Sequence, residues 1–150
     1  MAKEGLEFYS FINDRQKALV NIYFTNNWLH SEYHVVLKAY NVTAQQFNIL
    51  KILNEVYPKS MMVSAIKLQM LDKSSDITRL VERLLEKNLV VRRQDQKNRR
   101  KINVKLNIIG HNLVSEMDKD IGNFEGFVEH LSDKEIKQLN LLLNKIRSHQ

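Results

Sequence analysis

Apolar residues recur at helical spacing along almost the whole chain. They give way to a period of two only once, across "LVVRR" and "KINVKL", residues 89–93 and 101–106. That switch constrains the fold more than any other feature, because side chains alternate across a strand but return every 3.6 residues around a helix. One hairpin therefore has to be housed in an otherwise helical chain. The polar run "QDQKNRR" between the two strands supplies its loop. Glycine occurs four times and proline once, so little interrupts long helices elsewhere.

The helical segments can be placed from their stripes and caps. Leu6 to Tyr40 reads as one long helix, with Ile22, Leu29 and Val36 seven apart, and Leu19, Asn26, Tyr33 and Tyr40 likewise. Such a seam accepts another helix. In "VTAQQFNILKIL", Thr43 and Gln46 have capping-box spacing and Phe47, Leu50 and Leu53 form the stripe to be buried. A short helix is expected over about Val63–Met70. The helix of "DKSSDITRLVERLLEKN", capped by Asp72 or Ser74, should bury Ile77, Leu80, Val81, Leu84 and Leu85. After the hairpin, a helix is expected from about Ile108 towards Leu131, with Leu113, Met117, Phe124 and Val128 on its apolar side. "LSDKE" then starts a last helix through a second capping box, Ser132 and Glu135, whose face is Ile136, Leu139, Leu143 and Ile146. The reading is a single domain, mainly α with a small β-hairpin.

Charge is divided unevenly. Over 150 residues, 23 Lys and Arg against 17 Asp and Glu leave +6. Residues 72–105 alone hold eleven bases and five acids, so they carry the entire excess. Six of those bases crowd into "RRQDQKNRRK", residues 92–101. Neighbouring like charges repel, and a field concentrated this way attracts a polyanion.

Other functions find less support. No run is long and apolar enough for a membrane span, and the first residues lack a secretory h-region, so a cytoplasmic home is expected. Without cysteine there is no disulfide or thiolate site. His30 and His34 lie four apart on one helix face, but Glu32 is misplaced for a HExxH site and two ligands do not make a structural zinc centre. They read better as surface or interface histidines. No nucleophile–base pair, carboxylate pair or glycine-rich phosphate loop suggests an enzyme, and no cofactor is implied.

A short helix, a second helix with a polar start and a basic hairpin make the layout of a winged helix-turn-helix. Its second helix fits the DNA major groove, where base edges differ from pair to pair. The residues expected to meet DNA there are Lys73, Ser74, Ser75, Asp76, Thr78, Arg79 and Arg83. On the wing they are Lys97, Arg99, Arg100 and Lys101, suited to phosphates or to the negative potential of the minor groove. Asp76 would repel phosphate unless it caps the helix or accepts from a cytosine amino group.

"VTAQQFNILKIL", the block from "LDKSSDITRLVERLLEKN" to "KINVKLNIIG", and "LSDKEIKQLNLLL" resemble the MarR family of bacterial transcriptional regulators. The resemblance implies a homodimer held by helices from about 1–40 and 108–150, with the winged helix-turn-helix at about 43–106. It implies a repressor that binds a pseudo-palindromic operator in double-stranded DNA. By the same resemblance, Ser74–Arg79 lie on the recognition helix and Arg99 and Arg100 match the paired wing arginines. Two departures stand out. The wing reads Asp95-Gln96-Lys97-Asn98-Arg99-Arg100 where Asp-Pro-x-Asp-Arg-Arg is usual, and Ser75-Asp76 occupies the place of one residue, which shifts the contacts. Many members release DNA on binding small aromatic anions, and Tyr23, Trp28, Tyr33 and Phe47 are the candidates to line such a pocket, although aromatics at this spacing also suit a core or dimer seam. A winged-helix module that docks proteins is the competing reading.

Overall fold

The computed structural model describes residues 9–94 and 102–148. Its order is α1 (Asp14–Ala39), α2 (Ala44–Asn54), β1 (Met61–Met62), α3 (Val63–Gln69), α4 (Ile77–Glu86), β2 (Val90–Gln94), β3 (Ile102–Leu106), α5 (Ile108–Gly122), a 3-10 segment (Asn123–Val128) and α6 (Asp133–Arg147). The mainly helical class with one small sheet is as expected, and the sheet gains a strand. β1 joins β3 antiparallel, Met61 opposite Val104, so the strand order is β1-β3-β2.

α2 is the centre of the core. Its capping box forms as read: the Thr43 hydroxyl accepts from Gln46 N at 3.2 Å, and Gln46 Oε1 accepts from Thr43 N at 3.1 Å. Ile49, Leu50, Ile52 and Leu53 are buried against Ile66 of α3, Val81 and Leu84 of α4, Val104 and Leu106 of β3, and Val114 and Met117 of α5. Phe47 packs only partly into this cluster.

Two helix ends use one device. After α1, Asn41 takes φ 53°, with Val42 N donating to Leu37 O and Asn41 N to Lys38 O. After α4, Asn88 takes φ 54°, with Leu89 N donating to Leu84 O and Asn88 N to Leu85 O. Both are Schellman turns in which asparagine tolerates the left-handed backbone. Each is sealed by a buried apolar pair, Val42 with Leu37 and Leu89 with Leu84. Lys87 stitches the two turns together, donating to the Asn41 carbonyl and to Gln46 Oε1.

Three boundaries depart from the expectation. Residues 9–13 are not helical, and α1 begins at Asp14 because Asn13 Oδ1 caps Gln16 N while Gln16 Oε1 accepts from Ile12 N. α4 begins at Ile77, capped by Asp76 and by neither Asp72 nor Ser74. The helix expected to reach about Leu131 ends at Gly122 and tightens to 3-10. Residues three apart eclipse in a 3-10 turn, which lets Phe124 and Phe127 both face α1. Phe124 stacks on Tyr33 at 4.3 Å and Phe127 lies 4.8 Å from Trp28.

α5 is tied to α2 and to the end of α1 by polar contacts. Lys51 pairs with Asp118 at 2.8 Å, Tyr40 donates to Asp120 at 2.6 Å, and His111 Nδ1 lies 2.8 Å from Asn54 Oδ1. The Tyr40 phenol is held above its ordinary pKa, chiefly by that bond to Asp120. Asn107 caps the start of α5 by accepting from Gly110 N at 2.8 Å. Gly110 itself passes so close to the Leu89 carbonyl that a Cβ would collide with it.

Candidate nucleic-acid interface and the adjoining cavities

The segment leading into α4 is organised by one carboxylate. Asp72 Oδ1 accepts from Ser74 N at 2.9 Å and from the Ser74 hydroxyl at 2.6 Å, and Asp72 Oδ2 accepts from the Ser75 hydroxyl at 2.9 Å. Donation from Ser74, by hydroxyl and then amide, together with the Ser75 hydroxyl, holds the Asp72 carboxyl below its ordinary pKa. Lys73 turns its ammonium onto the Leu68 carbonyl, and Leu71 N donates to Asn48 Oδ1 on α2. The turn is therefore fastened at both ends to the helices around it.

This alters the expected contact set. Lys73, Ser74 and Ser75 lie in the turn before α4, not on the helix. Both serine hydroxyls already donate to Asp72, so neither can donate to a phosphate without giving up that bond. Asp76 spends its side chain on the cap, with Oδ1 accepting from Arg79 N at 3.2 Å. Thr78, Arg79 and Arg83 are exposed on α4, while Ile77, Val81 and Leu84 on its other side are buried. Arg79 and Arg83, one helical turn apart, border a shallow cleft of about 290 Å³ with Thr43 and Gln45 at the start of α2. Lys97, Arg99, Arg100 and Lys101 lie outside the described residues.

Two further cavities flank the junction of α1 and α2. One, of about 410 Å³, is walled mainly by apolar groups (Leu29, Tyr33, Leu37, Phe47 and Leu71), with Lys51 and Asn48 at its edge. It brings together Tyr33 and Phe47 of the four aromatics read as a pocket. The other two are placed elsewhere: Tyr23 is 69% exposed, and Trp28 packs against Phe127. The second cavity, about 370 Å³, holds His30 and His34 beside Lys38 and Lys87. Those ammonium neighbours make it a poor home for a cation. Among the described residues, no group of three or more His, Cys, Asp or Glu side chains could hold a metal ion.

Sequence reasoning missed Lys51 and Asn48, which enter the larger cavity only through tertiary packing.

Residues 42–102 match the model of the MarR family. None of the curated proteins matches the sequence significantly. Among solved structures, a MarR variant from E. coli complexed with operator DNA superposes with a TM-score of 0.76 at 21% identity, covering 92% of this chain and 99% of that one. The S. aureus MepR–DNA complex gives 0.76 at 21%, covering 94% and 100%. A MarR transcription factor from Planctomyces limnophilus gives 0.69 at 27%, covering 92% and 98%.

Proposed function

We propose, from the match of residues 42–102 to the model of the MarR family, that this chain is a DNA-binding transcriptional regulator that acts as a repressor in the bacterial cytoplasm. One observation carries the reading. The exposed side of α4, with Thr78, Arg79 and Arg83, stands at the head of the segment that holds all of the chain's excess positive charge. The helix enters the major groove and the basic hairpin lies over the neighbouring minor groove. Arg79 and Arg83 are the side chains able to fork onto guanine or phosphate. The two MarR and MepR structures that contain DNA support this use of the same fold.

The working unit is a homodimer, built on the dimerisation helices at about 1–40 and 108–150, with the winged helix at about 43–106. α1 exposes Leu19, Ile22 and Tyr23, and α6 exposes Leu139, Leu142 and Ile146. Two recognition helices related by a twofold axis read half-sites about one helical turn apart, roughly 10 base pairs, so the operator is an imperfect palindrome. The cavity of about 410 Å³ beside Tyr33 and Phe47 is of ligand size and takes a small aromatic anion as effector, with Lys51 at its edge.

Titration of a mixed-sequence duplex at several salt concentrations tests the reading. A repressor of this build loses affinity steeply as salt rises, with a log–log slope close to the number of phosphates it neutralises. A protein-docking module gives weak binding and a nearly flat response. Arg79→Ala should reduce the preference for an operator selected from a random pool over mixed-sequence DNA, by on the order of tenfold.

A further inference from the structure

Resting on the DNA-binding reading above, we propose that Arg92, at the root of the hairpin, grips the phosphate strand that runs between the recognition helix and the wing. The register of the sheet separates it from its neighbour. Arg92 pairs with Val104 and Arg93 with Asn103. Directly opposed residues of an antiparallel pair share a face. Val104 is fully buried, so Arg92 stands on the face that carries the core, in line with Val90 and Gln94. Arg93 stands on the opposite face with Val91, Asn103 and Lys105.

What surrounds Arg92 gives it a direction. It lines a small gap of about 30 Å³ with Val63 of α3, Thr78 and Val81 of α4, and Ile102 of β3. Arg92 is nevertheless exposed. An arginine in such a place lays its methylene stem along apolar neighbours and keeps its guanidinium in water. Its charge is thus delivered beside Thr78, the second residue of α4, in the notch between that helix's first turn and the hairpin.

A helix in a major groove and a hairpin over the adjacent minor groove are separated on the DNA by one sugar–phosphate strand. The notch occupied by Arg92 is where that strand passes. A guanidinium can fork onto phosphate oxygens where an ammonium makes a point contact. The contact carries no base information. It sets how deeply the helix and the wing seat together.

The test measures binding of a mixed-sequence duplex over a range of salt for wild type, Arg92→Met, Arg92→Lys, Arg93→Ala and Arg79→Ala, with thermal melts of each protein. Methionine keeps an apolar stem over Val63 and Val81 and removes the charge, so folding is preserved. Arg92→Met should bind on the order of tenfold or more weakly, with a salt slope shallower by about 1 for each protomer's lost contact. Arg92→Lys should retain the slope and recover part of the affinity. Arg93→Ala should cost less than about threefold, the field effect of one distant charge. If Arg92→Met binds like wild type while Arg79→Ala is weakened, Arg92 is a packing residue and the proposal fails with the DNA-binding reading intact. Equal losses at Arg92 and Arg93 overturn the assignment by face. If wild type shows no salt-dependent binding, the reading and the proposal fall together.

Discussion

α4 and α6 both begin on a side-chain cap and both carry apolar residues at helical spacing, yet they are built into the molecule differently. α4 buries Ile77, Val81 and Leu84, whereas no residue of α6 is buried. Around α4, every neighbour is accounted for within one chain: the turn is fastened by Asp72 and Asn48, the end is sealed by Leu89, and Lys87 reaches back to α1. Around α6, the stripe of Leu139, Leu142 and Ile146 lies in solvent. An exposed apolar stripe calls for a partner. The contrast teaches that α4 is completed within a single chain, whereas α6 leaves an apolar stripe open, as the proposed homodimer requires.

The comparison breaks most readily at α6. Replacing Leu139, Leu142 and Ile146 together with glutamate should abolish the dimer, because buried charges without partners are among the costliest changes an interface can suffer. Light scattering at micromolar concentration should then report one chain mass where wild type reports two. DNA affinity should fall by on the order of a hundredfold or more, since linked binding of two half-sites is lost. A triple variant that stays dimeric would place the interface elsewhere and undo the contrast.

A second test compares two glycines. Gly110→Ala drives a Cβ into the Leu89 carbonyl, at the point where α5 leaves the hairpin. Backbone cannot rotate aside as a side chain can, so overpacking should cost on the order of 1–3 kcal/mol and lower Tm by several degrees. Gly122→Ala, at the end of α5, meets nothing within 4 Å. It should be neutral, or stabilise by up to about 1 kcal/mol through helix propensity. Equal effects at the two sites would mean that the close approach of Gly110 to the Leu89 carbonyl does not constrain the junction between α4 and α5.

The same contrast explains what could be read from the sequence. Caps and stripes are local, and Thr43 with Gln46, Ser132 with Glu135, and the alternation of Ile102, Val104 and Leu106 were all legible because each is a pattern within a few residues. Asp76 was legible as a cap only as one of two roles, the other being to accept from a cytosine amino group, and Asp72 and Ser74 were rival candidates for the cap. What stayed hidden depends on contacts far along the chain. β1 has two residues and no periodicity of its own, and it exists because Met61 lies against Val104. The break at Gly122 follows from Tyr33 and Trp28 receiving Phe124 and Phe127 across about ninety residues of sequence. For the candidate site, composition located the charge. It did not show that Ser74 and Ser75 are turned onto Asp72, nor that Arg92 and not Arg93 shares the face of buried Val104.

The smallest expected effect is also the sharpest comparison, because each region holds one exposed carboxylate with a lowered pKa. Asp72 is held down by Ser74 and Ser75 ahead of α4, and Glu135 by the Ser132 hydroxyl, then its amide, at the start of α6. A carboxyl more acidic in the folded chain than in the unfolded one contributes stability that is fully present above the unfolded pKa, about 4 for these groups. The contribution is lost as pH falls through the depressed folded pKa. Both sites therefore stabilise the fold at neutral and alkaline pH and steepen its loss of stability on the acid side. Asp72→Asn and Glu135→Gln each keep an acceptor oxygen for the local amide but lose the carboxylate's contribution, so Tm at pH 7 should fall slightly. Below about pH 4 each variant should lose stability less steeply than wild type. The two should differ in one respect. Asp72 belongs to a unit that is complete within one chain, so flattening by Asp72→Asn should be independent of protein concentration. If a partner completes the apolar stripe of the helix that Glu135 caps, flattening by Glu135→Gln should weaken as the protein is diluted and the dimer dissociates. Melts of both variants across pH at two protein concentrations decide the matter. If Glu135→Gln behaves identically at both, α6 folds without its partner, and the single-chain and two-chain regions are not distinct.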